Sequence, residues 1–211
     1  MFDCTLELNE IALKRGERLL ISGLNLALKS GDAVELRGVN GAGKSTLLRA
    51  ITNMHKPLAG KIVFNGHGGR ELTESLCFLG HLDAIKANQT IKAQLEFWCD
   101  LFGGDRANIQ KIVTRLNIPH LLPLMGASLS AGQKRRISLA RILIANRPVW
   151  LLDEPFAPLD EKGRAQLGEI IDEHRANGGI IIAAVHDTPN CKPMQLLNLM
   201  DYVPEYAGDD L

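Results

Sequence analysis

The chain has 211 residues, of which 45% are hydrophobic, and its 24 basic side chains balance 24 acidic ones. This length and apolar content predict a single domain with a packed core. Because no block of like charge occurs, we expect no nucleic-acid partner. No stretch approaches the roughly 18 to 20 apolar residues that span a bilayer, so a role at a membrane would require a separate membrane protein. The four cysteines are scattered without a C-x-x-C pair, which is typical of reduced thiols in a cytoplasmic protein.

The N-terminal part of the chain is patterned for strands. Apolar residues alternate within 5–13 and 18–28, and the turn signal Ser30-Gly31-Asp32 follows. Residues 33–37 form a predicted strand that runs into a glycine-rich loop, and residues 45–51 contain good helix formers without a breaker. The predicted order is a short β-rich region and then a strand, loop and helix unit.

Uniformly apolar runs farther along the chain indicate a parallel sheet. Residues 149–152 and 180–185 are apolar throughout, as in parallel strands that helices cover on both faces, and 161–177 supplies the crossover helix. Before these runs, apolar residues recur at helical spacing, so 88–128 is expected to be a small helical insert. The predicted fold class is α/β with a mostly parallel sheet, whose ligands lie at the carboxyl ends of the strands.

The glycine-rich loop matches the phosphate-binding pattern G-x-x-x-x-G-K-[ST]. Glycines let backbone amides close around phosphate oxygens, and Lys44 would reach the β- and γ-phosphates. The Ser45 hydroxyl would bind Mg²⁺, and the first turn of the helix would direct its amides at the anion. A chance match in a flexible turn is the alternative, which the position between a strand and a helix disfavours. The residues expected to bind the nucleotide are Gly38, Val39, Asn40, Gly41, Ala42, Gly43, Lys44, Ser45 and Thr46.

Two carboxylates follow a buried strand directly, at Asp153 and Glu154. Asp153 is expected to hold Mg²⁺ through water, as acidic residues at this place do in phosphate-loop enzymes. Glu154 would lie near the γ-phosphate and accept a proton from the attacking water, as a general base. An acidic pair that merely ends a strand is the alternative, and the phosphate loop upstream argues against it.

A second helix start, Leu129-Ser130-Ala131-Gly132-Gln133, has the features of an anion site. Ser130 and Gln133 fit a capping box, and the helix carries charged residues on its polar faces, including Arg135 and Arg136. Gly132 would let the backbone approach a negative group, which the helix dipole favours. One nucleotide site needs only the first such helix start, so a plain helix cap is the alternative.

This segment, LSAGQ, resembles the LSGGQ signature of ABC ATPases, with Ala131 in place of the first glycine. The resemblance implies a P-loop NTPase, RecA-like core at 1–87 and 129–211, with an antiparallel β region at its N-terminus and 88–128 as the helical subdomain. It also implies a head-to-tail homodimer with ATP between the chains. Each site would combine Gly38–Thr46 of one chain with Ser130, Gly132 and Gln133 of the other.

Four more positions take their expected roles from this resemblance. Asp160 lies in a segment like the D-loop at the dimer interface, and His186 would be the switch histidine that contacts the γ-phosphate. His81 stands where the family has the Q-loop glutamine, a sensor of Mg²⁺ and γ-phosphate, and Arg15 stands where an aromatic ring faces adenine. A histidine that only shapes its loop is the alternative for His81, and an arginine plane can also stack on a base.

Within this family, Gly80-His81, the run from Leu129 to Arg136 and the run from Trp150 to Phe156 resemble the ATPase subunits of cytochrome c maturation systems. The resemblance implies an energy-coupling ATPase in haem handling, on the cytoplasmic face of a bacterial inner membrane. Its partners would be a CcmB-like integral membrane subunit and other maturation proteins. An apolar stripe with Trp98 and Phe102 could receive a helix of the membrane subunit, although such stripes are more often core.

Two other functions stay open at this point. The first is a subunit of another ABC exporter with the same mechanism and a different cargo. The second is a soluble ABC ATPase that works on DNA or ribosomes, although the chain has neither the long coiled-coil inserts nor the basic surface typical of that class.

Overall fold

The computed structural model describes residues 1–66, 69–185 and 191–204. It begins with two long antiparallel strands, and helices and strands follow in mixed order. Short 3₁₀ turns at Pro119–Leu121, Gly126–Ser128 and Leu199–Tyr202 complete the regular structure. In chain order the elements are β1 Cys4–Arg15, β2 Arg18–Lys29, β3 Ala33–Arg37, α1 Lys44–Ile51, β4 Ala59–Gly66, α2 Leu72–Ser75, β5 Leu76–Leu79, α3 Ile91–Leu101, α4 Ala107–Arg115, α5 Ala131–Ala145, β6 Val149–Asp153, α6 Glu161–Ala176, β7 Ile180–Ala184 and β8 Gln195–Asn198.

Two sheets organise the molecule. The first is antiparallel, with the order β2-β1-β4, and Gly16 takes a φ of 60° in the tight turn between β1 and β2. The second is parallel, with the order β5-β6-β7-β3-β8. The predicted fold class, with an antiparallel region before a parallel sheet, is confirmed.

The parallel sheet separates two hydrophobic cores. Side chains alternate across a strand, so Trp150 and Leu152 of β6 face the core that contains α3, α4, α5 and α6. Val149 and Leu151 face the other core, which the antiparallel sheet and α1 close. Every residue of β6 and β7 is buried, as expected for strands covered on both sides.

The helices α3 and α4 lie within the expected insert and pack against α5. Within 1–66, 69–185 and 191–204, no helix is long and apolar enough to cross a membrane. Trp98 and Phe102 of the predicted apolar stripe stack on each other at 5.6 Å between ring centroids, and Arg141 of α5 lies over Trp98. These two rings therefore pack within the insert, and the exposed large hydrophobic side chains of α3 are Phe97 and Leu101.

His174 of α6 is a buried histidine on the side of the sheet where Trp150 and the helices α3 to α6 pack. Its ring stacks on Trp150, with centroids 3.7 Å apart and planes 11° apart. Nε2 lies 3.1 Å from the Pro148 carbonyl oxygen, which also accepts the N–H of Ile180 at 2.8 Å. Burial lowers the pKa of His174 to about 4. The folded chain therefore holds this imidazole neutral over the whole physiological range.

Mild acid should destabilise the fold through His174. The unfolded chain binds the proton at the ordinary histidine pKa of 6.5, whereas the folded chain binds it only near 4. The stabilisation from the neutral His174 is therefore complete above about pH 6.5 and is lost as the pH falls toward 4. The loss in the free energy of unfolding amounts to about 2 kcal/mol by pH 5. Urea unfolding at several pH values measures this loss.

His174→Phe is the matched control, because it keeps a ring on Trp150 and leaves the Pro148 carbonyl with the N–H of Ile180. The free energy of unfolding of this variant should depend much less on pH between about 7 and 5. An unchanged pH dependence in the variant would show that other groups account for the acid sensitivity.

Candidate nucleotide-binding site

The predicted phosphate loop joins the carboxyl end of β3 to the first turn of α1. Gly43, directly before α1, has a φ of 102°, a left-handed conformation that favours glycine. At Gly38, an added Cβ would lie 2.9 Å from the Cβ of Ala42, too close for any larger residue. The backbone of this loop therefore requires glycine at both positions.

Lys44 folds back over the loop from the first position of α1. Its ammonium group donates to the carbonyl oxygens of Gly38 at 2.7 Å and of Val39 at 3.3 Å, and the side chain is buried. Positive charge at a helix N-terminus, beside free backbone N–H groups, creates a strongly anion-seeking site. The loop is therefore arranged to hold phosphate.

The carboxylate pair stands at the end of β6. Asp153 is its last residue and is 4% exposed. Glu154 follows with a φ of 50°, a left-handed conformation that costs a non-glycine residue about 1–3 kcal/mol and persists only where the surrounding structure holds it. Its N–H donates to the carbonyl of Ala184, at the end of β7, at 2.9 Å. This bend turns the chain out of the sheet at its carboxyl edge.

A cavity of about 170 Å³ brings the phosphate loop, Glu154 and Arg15 together. Arg15 is the last residue of β1, and the antiparallel hairpin carries it to the mouth of the loop. Of the predicted nucleotide residues, Gly38, Val39 and Ala42 lie in the loop without lining this cavity. The lining residues are Arg15, Leu20, Asn40, Gly41, Gly43, Lys44, Ser45, Thr46 and Glu154.

The expected capping box is present at the start of α5. The Ser130 hydroxyl accepts the N–H of Gln133 at 3.3 Å, and the Gln133 side chain accepts the N–H of Ser130 at 2.9 Å. Gly132 lies close to the segment before α6, since an added Cβ would be 2.9 Å from the Pro158 carbonyl oxygen. None of these three residues lines the cavity at the phosphate loop.

Asp160 ties this second helix start to α6. Its carboxylate accepts the N–H of Gly163 at 2.9 Å as the N-cap of α6, and it pairs with Arg136 of α5 at 2.7 Å. The Gly163 N–H and the Arg136 guanidinium hold the pKa of this carboxyl below its usual range. Ser130, Gly132, Gln133 and Asp160 thus form a second cluster, separate from the phosphate loop of the same chain.

Comparison with known proteins places these motifs in one family. Residues 21–157 match the family described as ABC transporter. Cytochrome c biogenesis ATP-binding export protein CcmA of Bradyrhizobium diazoefficiens is 44% identical over 82% of this chain and 86% of that protein. The protein of the same name from Maricaulis maris is 40% identical over 91% and 92%. The chain belongs to the ABC transporter family, among its CcmA proteins.

Solved structures agree with this assignment. A putative ABC transporter ATP-binding protein of Pyrococcus furiosus, 24% identical, superposes with a TM-score of 0.80 over 95% of this chain and all of that chain, which shows the shared fold. The structure of cbiO1 of Clostridium perfringens, described as part of the ABC transporter complex cbiONQ, is 26% identical with a TM-score of 0.70 over 86% and 78%. The family match and the curated relatives show that the chain is an ATP-binding subunit of an ABC transporter and hydrolyses ATP.

Of the two histidines predicted as γ-phosphate sensors, the structure describes His81 but not His186. His81 is exposed, follows Gly80 just beyond β5, and is not part of the lining of the nucleotide cavity. His186 lies outside the described residues. Both roles therefore remain predictions.

Two residues near the site escaped sequence reasoning in this ABC subunit. Leu20 lines the nucleotide cavity, and its place within an apolar run gives no signal for that role. Arg135 was expected on a polar face of α5 and is instead buried, because residues 80–83 and the end of β6 cover that side of the helix. A separate cleft of about 590 Å³, lined by parts of α3, α4 and the end of α5, contains none of the predicted site residues.

Proposed function

We propose that this ABC ATPase drives a membrane transporter of cytochrome c biogenesis, as a head-to-tail pair of chains on the cytoplasmic face of a bacterial inner membrane. The meeting of Lys44, Ser45 and Glu154 in one cavity is the observation that supports ATP hydrolysis at this place. Similarity to CcmA proteins over most of the chain supports the biological role. A CcmB-like membrane subunit, other maturation proteins and haem as the cargo are parts of the proposal.

Within the proposed reaction, Lys44 and the backbone amides of 38–46 bind the phosphates of ATP. Ser45 and Asp153 are the residues that would hold Mg²⁺, since a hydroxyl and a buried carboxylate are the oxygen donors this ion takes. When bound, Mg²⁺ supplies charge neutralisation at the β- and γ-phosphates. Glu154 accepts a proton from the attacking water, and Arg15 stacks on the base.

The second cluster supports the paired arrangement. Ser130, Gly132 and Gln133 form an anion-seeking helix start that is separate from the phosphate loop of its own chain. In the proposed dimer, this helix start closes on the γ-phosphate bound by the partner, with Asp160 near the shared interface. His186 and His81 would complete the site as sensors of the γ-phosphate.

The helical insert offers a surface for the membrane subunit. Leu82, Phe97 and Leu101 are 82%, 53% and 59% exposed, and they lie on α3 and on the segment leading to it. Phe97 and Leu101 are one turn apart on α3. Exposed aromatic and aliphatic side chains of this kind are typical of a surface that receives a partner helix. Leu82, the first residue of this surface, directly follows His81, the predicted nucleotide sensor. The surface therefore begins where the chain runs from that sensor into the insert.

Co-purification from membranes tests the proposed complex. The tagged chain should retain an integral membrane subunit of cytochrome c maturation, and Phe97→Glu should reduce the recovered subunit about tenfold, because a charge in an apolar interface is costly. Leu196→Glu is the matched control, since Leu196 is also exposed but lies on β8. Recovery of a membrane subunit of a drug or polysaccharide exporter instead would refute the proposed cargo.

A further inference from the structure

Arg135 is a buried cation of α5 that contacts two other segments of the chain. Its side chain is 3% exposed. Nη1 donates to the Gly80 carbonyl at 3.0 Å and lies 3.2 Å from Asp83 Oδ1, and Nη2 donates to the Glu154 carbonyl at 3.4 Å. One planar guanidinium thus joins the helix that begins at Ser130, the segment after β5 and the residue after β6.

Packing alone gives little reason for an arginine at this position. Burial lowers the pKa of the guanidinium, and the carboxylates of Asp83, Asp153 and Glu154 oppose that shift. An apolar side chain of similar volume would avoid the cost of desolvating the charge. A planar fork, however, holds two acceptors in fixed directions, which neither an apolar residue nor lysine can do.

The Glu154 contact bears on the backbone of the proposed general base. Glu154 has a φ of 50°, and such a conformation persists only where the surroundings determine it. On one side its N–H is held by the Ala184 carbonyl of β7, and on the other its carbonyl accepts from Arg135 Nη2 and from the N–H of Ala157, each at 3.4 Å. Arg135 is thus the side-chain donor on α5 among the groups that hold the Glu154 main chain.

The same helix also holds the segment that leads to the insert. Arg135 binds the carbonyl of Gly80, and one turn later the Ser138 hydroxyl donates to the carbonyl of Asp83 at 2.8 Å. His81 lies between these two attachment points. A movement of α5 relative to the sheet would therefore carry residues 80–83 with it and also displace the donor to Glu154.

We propose that Arg135 is a positioning residue that sets the main chain of Glu154 according to the placement of α5 and residues 80–83. This inference rests on the proposed role of Glu154 as the general base. Arg135 acts through Glu154 and not on the nucleotide, so it affects turnover and leaves ATP affinity unchanged. A partner that docks on the insert and displaces α5 thereby changes the position of the Glu154 carboxylate through the Arg135 side chain.

Steady-state and single-turnover ATPase assays of the full chain test this inference. Arg135→Lys keeps the charge beside Asp83 but cannot hold both carbonyls, so kcat should fall about tenfold or more, while KM for ATP changes less than about threefold. Asp83→Asn leaves the fork on both carbonyls and should keep kcat within about threefold of the unmodified chain. Arg141→Lys, on the same helix but over Trp98, should leave both constants unchanged.

A double-mutant comparison separates positioning from a general loss of structure. In the Glu154→Gln background, Arg135→Lys should cause no further loss in single-turnover rate, because its effect passes through the glutamate. An equal further loss in that background, a parallel loss of mant-ATP affinity, or an equal effect of Arg141→Lys would overturn the inference. If Glu154→Gln itself retained full turnover, the proposed role of Glu154 would fail, whatever Arg135 does.

Discussion

Replacing Glu154 with Gln should lower the turnover of ATP by about 10²–10³-fold and leave ATP binding nearly unchanged. The amide keeps the size and hydrogen-bonding reach of the carboxylate but cannot accept the proton of the attacking water. General bases contribute about 10²–10⁴-fold to enzymatic rates. Because ATP then persists between the chains, the variant should accumulate as an ATP-bound dimer, which size-exclusion chromatography with ATP detects.

Glu161→Gln is the matched control for this experiment. Glu161 is exposed in the first turn of α6 and lies seven positions beyond Glu154, so its loss should leave kcat unchanged. A Glu154→Gln variant that remains monomeric with ATP and hydrolyses it at the normal rate would contradict both the base and the shared site. Loss of mant-ATP binding in the variant would instead indicate a role in nucleotide affinity.

The parallel sheet was largely readable from the sequence because its central strands are buried on both faces. β6 and β7 have no exposed residue, and uniform apolarity is the pattern that such strands leave. β5 and β8 left no such pattern, since each has four residues and β8 begins with two exposed ones. The order of the strands could not be predicted from the sequence either, because β3 pairs with both β7 and β8, which lie far from it in the chain.

The residues of the candidate site also divide into those that the sequence predicts and those that it does not. The phosphate loop and the Asp153-Glu154 pair are local patterns, and each lies directly at an element end that the sequence also predicts. Arg135 and His174 lie at helical spacing from buried residues, Arg135 four positions before Leu139 and His174 four positions after Ile170. Their residue types nevertheless favour solvent, because charged and polar side chains are rarely buried, and residue type outweighed spacing in the sequence-based expectation.

Mixing two inactive variants should restore ATP turnover if each site is built from two chains. Lys44→Ala removes the phosphate-binding cation, and Ser130→Arg places bulk and charge at the helix start that would close on the partner's nucleotide. Each homodimer then has two defective sites. In the mixed dimer one site combines both defects and the other combines neither, so an equimolar mixture should reach about a quarter of normal turnover.

Placing both substitutions in one chain gives the opposite result, and this contrast identifies the arrangement. When the double variant is mixed with the unmodified chain, each site of a mixed dimer carries one defect. Turnover should therefore fall below the turnover that the same amount of unmodified chain gives without the variant. A site confined to one chain predicts the reverse: no restoration in the first mixture and no inhibition in the second. Thermal unfolding of Ser130→Arg is measured in parallel, because loss of the Ser130 cap costs about 1 kcal/mol.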